Sequence, residues 1–412
     1  MNHFIFDVIV IGAGQAGLTS SYYLKKHGLT HVVFEREKIA NSWNTQRWQA
    51  FKLTSPRCFA TLPGDKYEGD KPDDHAGAPE FVAYLNDYVF RNQLPVKENA
   101  KVVSLEFNEP RKLFSVTVNE SGAINHYQSR QVIVASGAMN DMKIPPMAEK
   151  MPSSVKHIHA GQYRNPEQLP EGAVLVVGSA QSGSQIAEDL CKAGRKVYLA
   201  TSQVGRIPGY YRSKDIYHWV IGAGFFGELI EKYGLKTDFA SPPSVSLQSL
   251  AQQGVTLLGK LHKIESDNLH FGLTVSDNIK YADLFSKKVK EIIDEYIDKN
   301  NIAVPPPSFD ADDAPDDKGC WDKAISTLNI TDADIRWVVW ASGFRYNYSY
   351  IKVPVLWDSG YPKHVNGITD MNGIYFPGLY GGSSIHGIKD NVEPIIERVR
   401  QYSTEVLKEV AY

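Results

Sequence analysis

Two glycine-containing turns carry the residues whose types and spacing most directly indicate chemistry. The first, Gly12-x-Gly14-x-x-Gly17, follows an apolar run over residues 8–11 and precedes a helical pattern. Bare backbone N–H groups at such a turn, with the start of a helix behind them, bind the diphosphate of a dinucleotide. The next predicted strand, 31–34, ends in Glu35, at the spacing where an acid binds a ribose 2′-hydroxyl. This segment predicts a βαβ unit of the FAD or NAD type.

A second turn, over residues 178–183, repeats the pattern with alanine at its middle position. The strand predicted after it, 196–200, ends without an acid and is followed by Ser202, Arg206 and Arg212. A missing acid and a nearby guanidinium are what a 2′-phosphate requires, so the second unit is predicted to bind NADPH in preference to NADH. The alternative for both arginines is a solvated loop charge. Two units in one chain predict two dinucleotides, with electrons passing from NADPH to a flavin.

The elements that position these turns predict an α/β fold with two Rossmann-like dinucleotide-binding domains, for FAD and NADPH. Two further strands, 131–137 and 336–343, both end in Ala-Ser-Gly, as expected where the chain crosses between the domains. We therefore predict a discontinuous FAD domain at 1–145 and 340–412. The NADPH domain is predicted at 146–339, with a partly helical insertion at about 213–332. An apolar stripe that includes Ile279, Leu284 and Val289 predicts a helix over 278–299 within that insertion.

The composition limits the partners. A net charge of −3, from 44 basic and 47 acidic residues, gives no reason to expect nucleic acid or an anionic membrane. The apolar run from Phe4 predicts a strand and not a signal peptide, so a cytoplasmic protein is expected. Cys58, Cys191 and Cys320 are far apart, which argues against a disulfide framework, a zinc site or a redox pair. The acidic run 310–317 lacks EF-hand spacing, so no metal is predicted.

Over nearly its whole length the chain resembles the class B flavin-containing monooxygenases, especially the soluble branch with the plant YUCCA-type enzymes. Beside both turns, the resemblance rests on Trp43 with Arg47-Trp48, on Trp-Ala-Ser-Gly-Phe-Arg at 340–345, and on the stretches 375–379 and 388–390. The family signature FxGxxxHxxx[YF] is half present: His159 and Tyr163 match it, but Ser153 and Val155 replace its Phe and Gly. Because Baeyer–Villiger enzymes have Trp at the last position, Tyr163 favours heteroatom oxygenation.

The resemblance implies a flavoprotein monooxygenase. NADPH would reduce FAD, and O2 would form a C4a-(hydro)peroxyflavin that oxygenates a small nucleophilic substrate at nitrogen or sulfur. The protein would then supply binding, orientation and exclusion of water. Three alternatives stay open: Baeyer–Villiger oxidation of a ketone, an NADPH-dependent flavin reductase or redox sensor without oxygenation, and a disulfide reductase, which would need paired cysteines. The sequence does not decide between a monomer and a homodimer.

The candidate catalytic residues are Arg47, Ser55 and His386. Arg47 is expected near the flavin, and Ser55 lies where many family members have an active-site asparagine. His386 precedes a helix expected to point at the flavin, and it is read either as a substrate contact or as a helix-entry residue. The predicted cofactor-binding residues lie at the two turns and at the strand ends beside them: Gly12, Gly14, Gln15, Gly17, Glu35, Arg36, Trp43, Arg47, Ala135, Gly137, Gly178, Ala180, Gln181, Ser182, Gly183, Ser202, Arg206, Arg212, Ser342, Gly343 and Asp390.

Overall fold

A computed structural model describes residues 4–222, 239–240, 245–307, 324–379 and 385–410 of the chain. The chain divides into two compact units. The first unit comprises Met1–Thr45, Arg57–Asp141 and Phe344–Tyr412, and the second unit comprises Gln46–Pro56 and Met142–Gly343. The predicted acidic loop at 310–317 and Cys320 lie outside the described residues.

Strands and helices alternate along much of the chain. The strands are β1 (Ile5–Ile11), β2 (His31–Phe34), β3 (Val96–Lys97), β4 (Ala100–Asn108), β5 (Leu113–Glu120), β6 (Ala123–Val134), β7 (Asp141–Met142), β8 (Lys156–His159), β9 (Ala173–Val177), β10 (Val197–Ala200), β11 (Gly205–Arg206), β12 (Tyr210–Tyr211), β13 (Lys214–Asp215), β14 (Phe239–Ala240), β15 (Thr256–Leu258), β16 (Leu261–Glu265), β17 (Asn268–Phe271), β18 (Thr327–Asn329), β19 (Ile335–Trp340), β20 (Phe344–Arg345) and β21 (Ile374–Tyr375). The α-helices are α1 (Gln15–Lys26), α2 (Asn41–Thr45), α3 (Ala78–Asn92), α4 (Gln181–Lys192), α5 (Ile216–Gly222), α6 (Leu247–Gln252), α7 (Val275–Lys299) and α8 (Ile388–Val410).

A mixed sheet forms the centre of the first unit, in the order β3-β2-β1-β6-β5-β4, with β21 paired to β6. The strands β1, β2, β3, β6 and β21 are parallel, whereas β5 pairs antiparallel with both β4 and β6. Val8, Ile9 and Val10 of β1 are fully buried. Their continuous apolar run is typical of a parallel strand covered on both faces. The carboxyl ends of β1 and β6 meet at the pair Ile11 and Val134, so the residues after both strands lie together.

A fully parallel sheet forms the centre of the second unit, in the order β15-β10-β9-β19-β8. Val177 at the end of β9 pairs with Trp340 at the end of β19, which repeats the meeting of strand ends in the first unit. The antiparallel strands β16, β17 and β18 add a separate three-stranded sheet.

The long helix α7 shows where the predicted apolar stripe is right and where it is wrong. Ile279, Val289 and Ile293 are buried, but Leu284 is 64% exposed. At about 100° per residue, position 284 lies about 140° around the helix from position 279, away from the buried face. The helix also begins at Val275, earlier than predicted. Within the described residues, every helix is too short or too polar to cross a membrane.

Candidate functional site

The first glycine turn connects β1 to α1 in the first unit. A Cβ added to Gly12 would lie 2.6 Å from the carbonyl oxygen of Ala135, and one added to Gly17 would lie 1.9 Å from that of Gly12. The close approach of the turn, α1 and the end of β6 therefore requires both glycines. A Cβ on Gly14, in contrast, would meet no described atom within 4 Å. Its open side leaves room for a ligand at the start of α1.

The second glycine turn repeats this geometry in the second unit. A Cβ on Gly178 would lie 2.5 Å from the carbonyl oxygen of Ala341, and one on Gly183 would lie 1.8 Å from that of Gly178. Ala180 occupies the place of Gly14, and its side chain is partly exposed. Gln181 and Ser182 form the first turn of α4, where Gln181 is partly buried and Ser182 is exposed.

The helices that start at these turns lack a capping side chain. Gly14 is the N-cap of α1 and Ala180 is the N-cap of α4, and neither helix has a side-chain capping hydrogen bond in the described part of the chain. Helix starts usually carry Ser, Thr, Asp or Asn to bind the first N–H groups. A diphosphate supplies the same acceptors together with a favourable charge. Both turns therefore fit a dinucleotide.

Glu35 follows β2 and faces the first turn. Its Oε2 accepts a hydrogen bond from the N–H of Ala13 at 2.8 Å, and its Oε1 accepts one from the N–H of Glu37 at 3.1 Å. The side chain is buried, and burial raises the pKa of Glu35, while the two backbone N–H groups lower it. The structure thus brings the predicted acid to the turn within which Gly12 and Gly14 lie.

Other predicted contacts of the first unit lie around this turn or on nearby elements. Ala135 is buried at the end of β6, and the carbonyl oxygen of Gly137 accepts a hydrogen bond from the Tyr348 hydroxyl at 3.0 Å. Gln15, the first residue of α1, is partly buried, whereas Arg36 is exposed. Trp43 packs edge-on against Phe81 of α3, with ring centroids 5.1 Å apart.

The region after β10 contains the two arginines predicted for a 2′-phosphate. Arg206 is 5% exposed and its Nη2 donates to Oδ1 of Asp283 at 2.7 Å. Arg212 donates from Nε to Oδ1 of Asp294 at 2.7 Å. Burial rules out the solvated-charge interpretation for Arg206. Ser202 donates its N–H to the Ser179 hydroxyl at 3.0 Å, which ties the end of β10 to the second glycine turn.

Arg47 and Ser55 lie in the short segment Gln46–Pro56 that belongs to the second unit. Arg47 is partly buried, its guanidinium carbon lies 5.2 Å from the centre of the Phe51 ring, and burial lowers the pKa of Arg47 to about 10. The guanidinium therefore stays charged at neutral pH. Ser55 is 2% exposed. Next to it, the Thr54 hydroxyl forms a 3.0 Å hydrogen bond with the hydroxyl of Tyr217 on α5.

Ser342 and Gly343 follow β19, where the second unit ends along the chain. The Gly343 carbonyl oxygen accepts hydrogen bonds from the Lys143 N–H at 3.0 Å and from Nε2 of His159 at 2.8 Å. Nδ1 of His159 accepts the N–H of Gly161, so the neutral ring carries its proton on Nε2. Burial lowers the pKa of His159, which keeps this form at neutral pH. Ser342 donates its hydroxyl to the Lys143 carbonyl.

The predicted pair His386 and Asp390 lies before and within the first turn of α8. His386 packs edge-on against Phe59 at 5.5 Å, and burial lowers the pKa of His386. A Cβ on Gly378 would lie 3.0 Å from Ile388 and 3.4 Å from Ala16, so α8 starts beside the first turn of α1. Asp390 itself is exposed and lines a surface cleft of about 580 Å³ with residues that include Tyr23, Lys26 and His27.

Tyr163, used above to favour heteroatom oxygenation, lies in the interior of the second unit. Its side chain is fully buried, and its hydroxyl donates to Oδ2 of Asp189 on α4 at 2.7 Å. The residue therefore supports the packing of the second unit and gives no direct information on the substrate.

Two residues near the predicted site had no sequence signal. Asp283 lies on the helix α7, between charged and apolar neighbours at ordinary helical spacing, and only the fold pairs it with Arg206. Tyr217 lies in a segment without a nucleotide motif, and only the fold brings it to Thr54.

Comparisons with known proteins agree with this architecture. The pyridine nucleotide-disulphide oxidoreductase family profile matches residues 9–225. An uncharacterized CzcO-like oxidoreductase of Geobacillus kaustophilus is 31% identical over 407 residues, which cover 97% of this chain and 99% of that protein. The indole-3-pyruvate monooxygenase YUCCA6 of Arabidopsis thaliana is 30% identical over 195 residues, 46% of each chain. A flavin-containing monooxygenase structure from Stenotrophomonas maltophilia matches with a TM-score of 0.68 at 17% identity, over 97% of this chain and 99% of that one.

These matches confirm the predicted α/β fold with two dinucleotide-binding domains, and the predicted cofactors FAD and NADPH. They also confirm the resemblance drawn from the motifs, since the relatives and the structural neighbour include flavin monooxygenases. The chain belongs to the pyridine nucleotide-disulphide oxidoreductase family.

Proposed function

We propose that this protein is an NADPH-dependent flavoprotein monooxygenase that transfers one oxygen atom from O2 to nitrogen or sulfur of a small nucleophilic substrate. The observation that carries the proposal is the repeated turn. Gly12–Gly17 and Gly178–Gly183 have the same close packing and the same uncapped helix start, so one chain has two dinucleotide sites. An enzyme that binds two dinucleotides can pass electrons from one to the other.

We assign FAD to the first turn and NADPH to the second. Glu35 lies beside the first turn with both carboxylate oxygens able to accept further hydrogen bonds from ribose hydroxyls. The strand β10 ends at Ala200 and is followed by Thr201 and Ser202, where the first unit has the acid Glu35. Arg206 is the proposed phosphate contact, held in place by Asp283. Arg212 is paired with Asp294, which offsets its charge, so the main contact with the phosphate is assigned to Arg206.

When bound, FAD supplies the activation of O2 and the oxygen transfer, and the residues of the chain supply position and charge. Arg47 remains protonated at neutral pH, so it would supply a fixed positive charge to a flavin bound beside it. The lowered pKa of His386 keeps its ring neutral at neutral pH, so the ring offers one nitrogen that donates a hydrogen bond and one that accepts. Ser55 offers a buried hydroxyl on the same segment as Arg47.

The test measures cofactor binding, electron transfer and oxygen incorporation in one preparation. We expect the purified protein to bind one FAD, to be reduced by NADPH without air, and to place ¹⁸O from ¹⁸O2 in a thioether or tertiary amine. Ester formation from a cyclic ketone instead would establish Baeyer–Villiger chemistry. NADPH oxidation without any labelled product across all three substrate classes would favour a reductase or redox sensor. An Ala180→Val variant is the matched control, because it should keep FAD and lose reduction by NADPH.

A disulfide reductase receives no support from the described residues. Cys58 and Cys191 form no disulfide among the described residues, and they belong to different units. Reduction of a disulfide substrate by NADPH, at a rate that falls when Cys58 is replaced with serine, would reopen that alternative.

A further inference from the structure

A loop of the first unit, residues 35–40, leads from β2 back to the first glycine turn, and we call it the ribose loop. Residues 97–100, which include the end of β3 and the start of β4, lie along it. Three backbone hydrogen bonds join the two segments: the Glu35 N–H to the Lys97 carbonyl at 2.9 Å, the Ala100 N–H to the Glu35 carbonyl at 2.8 Å, and the Asn99 N–H to the Glu37 carbonyl at 2.8 Å.

The next contact along the ribose loop uses a side chain, that of Glu98. Its Oε1 accepts the N–H of Ile39 at 2.9 Å, and its Oε2 accepts Nζ of Lys38 at 2.8 Å. Burial raises the pKa of Glu98, but its bonds with Lys38 and Ile39 lower it further, so the pKa lies below its usual value. At neutral pH the carboxylate is therefore ionised and acts as a fixed acceptor for the loop.

The loop ends in a backbone conformation that its neighbours must hold. Ala40 is buried and has a φ of +61°, in the left-handed region that favours glycine. Its N–H donates to the carbonyl oxygen of Ala13 in the first glycine turn at 3.1 Å. Such a conformation persists only where the surrounding contacts determine it. The bond from Glu98 to Ile39 acts on the residue directly before Ala40.

We propose that Glu98 is a positioning residue for FAD, because it holds the ribose loop in the conformation that presents Glu35 to the adenosine ribose. The inference rests on the proposed function, which assigns FAD to the first glycine turn. Oε1 of Glu35 accepts the N–H of Glu37 inside the loop, so the orientation of this carboxylate depends on the loop. A loop that is ordered before FAD arrives need not be ordered on binding, which raises affinity. No cofactor motif in the sequence includes Glu98.

The test compares Glu98→Ala with Glu188→Ala, the matched control. Each glutamate pairs with a lysine at 2.8 Å, and their side chains are 28% and 25% exposed, but Glu188 lies on α4 in the second unit. Dilution of the holoprotein, followed by the fluorescence of released flavin, gives the dissociation constant of FAD. We expect about 10-fold weaker FAD in Glu98→Ala and the parent value in Glu188→Ala.

Two milder variants separate the backbone contact from the ion pair. Glu98→Gln keeps an acceptor for the Ile39 N–H and loses the charge, so it should bind FAD within about 3-fold of the parent. Lys38→Met removes only an exposed ion pair, and it should also stay within about 3-fold.

Two further measurements distinguish positioning from a purely structural role. Amide hydrogen exchange at Ile39 in the full-length protein should be about 10-fold faster in Glu98→Ala and unchanged in Glu188→Ala. In a Glu35→Gln background, Glu98→Ala should cause little further loss of FAD affinity, because Glu98 acts through Glu35.

Three results would overturn the inference. Parent-like FAD affinity in Glu98→Ala, with faster exchange at Ile39, would show a bond that orders the loop without helping FAD. Equal effects of Glu98→Ala and Glu188→Ala would show a general effect of removing a charge. A double variant that loses affinity by the product of the two single factors would show that Glu98 does not act through Glu35. A parent protein that binds no FAD would instead defeat the proposed function, and exchange at Ile39 would still decide whether Glu98 holds the loop.

Discussion

The middle glycine and the last glycine of the first turn should respond in opposite ways to an added side chain. Gly17 has no room, because a Cβ would lie 1.9 Å from the carbonyl oxygen of Gly12. Gly14 has open space, and its φ of −84° and ψ of −174° are values that any residue adopts. Packing therefore explains Gly17, whereas only a ligand explains why position 14 is so small.

The structure gives the magnitudes. Gly17→Ala must move α1 by more than 1 Å relative to the turn, a steric cost of roughly 3 kcal/mol or more. Gly14→Val should cost only about 1 kcal/mol, because a β-branched residue is a poorer N-cap than glycine. Its isopropyl group would occupy the proposed place of the FAD diphosphate. A loss of about 3 kcal/mol in binding corresponds to roughly 100-fold weaker FAD. Urea unfolding of the flavin-free proteins and FAD titration by flavin fluorescence measure both quantities.

The reasoning fails if Gly14→Val is as destabilised as Gly17→Ala, because position 14 would then be a packing site. It also fails if Gly14→Val binds FAD with the parent affinity, because the diphosphate would then lie elsewhere. Gly28→Ala is a control for ordinary glycine effects, since a Cβ there meets no described atom within 4 Å and lies far from the turn along α1. It should change stability through its φ of +71° and leave FAD affinity unchanged.

Three further outcomes follow from the site. Because burial raises the folded-state pKa of Glu35, its ionisation weakens the folded state as pH rises, so the flavin-free Glu35→Gln variant should be at least as stable as the parent protein at pH 8. The FAD affinity of this variant should fall about 10-fold, and an affinity equal to that of the parent would exclude the ribose contact. Arg206→Gln should lower kcat/KM about 10-fold for NADPH and little for NADH, and an unchanged ratio of the two kcat/KM values would exclude Arg206 as the phosphate contact. Asp283→Asn should lower the free energy of unfolding in urea by roughly 3 kcal/mol. Tyr163→Phe should cost about 1–2 kcal/mol and leave the ratio of heteroatom oxide to ester unchanged, and a shifted ratio would contradict its buried packing role.

The sequence predicted those features that depend on local pattern. Residues 8–17 predict a buried strand, a glycine turn and a helix start in that order. The structure has β1 up to Ile11 and α1 from Gln15, with the glycine turn between them. Glu35 follows because the end of a parallel strand beside β1 lies at the turn. Local pattern also located the ends of β6 and β19, where Ala135 and Ala341 approach the two turns.

Contacts between distant segments could not be predicted in this way. Arg206 and Asp283 are separated by 77 residues, and Thr54 and Tyr217 by 163, with no motif at either partner. Their pairing depends on how α5 and α7 pack on the second unit, which hydrophobic periodicity does not specify. The same limit applies to Tyr163: its place in a signature favours heteroatom oxygenation, and only the fold brings its hydroxyl to Asp189.

The two turns differ at the positions that a ligand would contact, and they agree at the positions that packing requires. Gly12 and Gly17 correspond to Gly178 and Gly183, and in all four an added Cβ would overlap a backbone carbonyl. The middle position and the residues after the strand are free to vary. There the first turn carries Gly14 with Glu35, whereas the second carries Ala180 with Thr201 and then Ser202. An acid suits a ribose with free hydroxyls and repels a 2′-phosphate. If the assignment of the coenzymes is right, Ser202→Glu should convert the second site towards NADH, while leaving FAD affinity at the first turn unchanged.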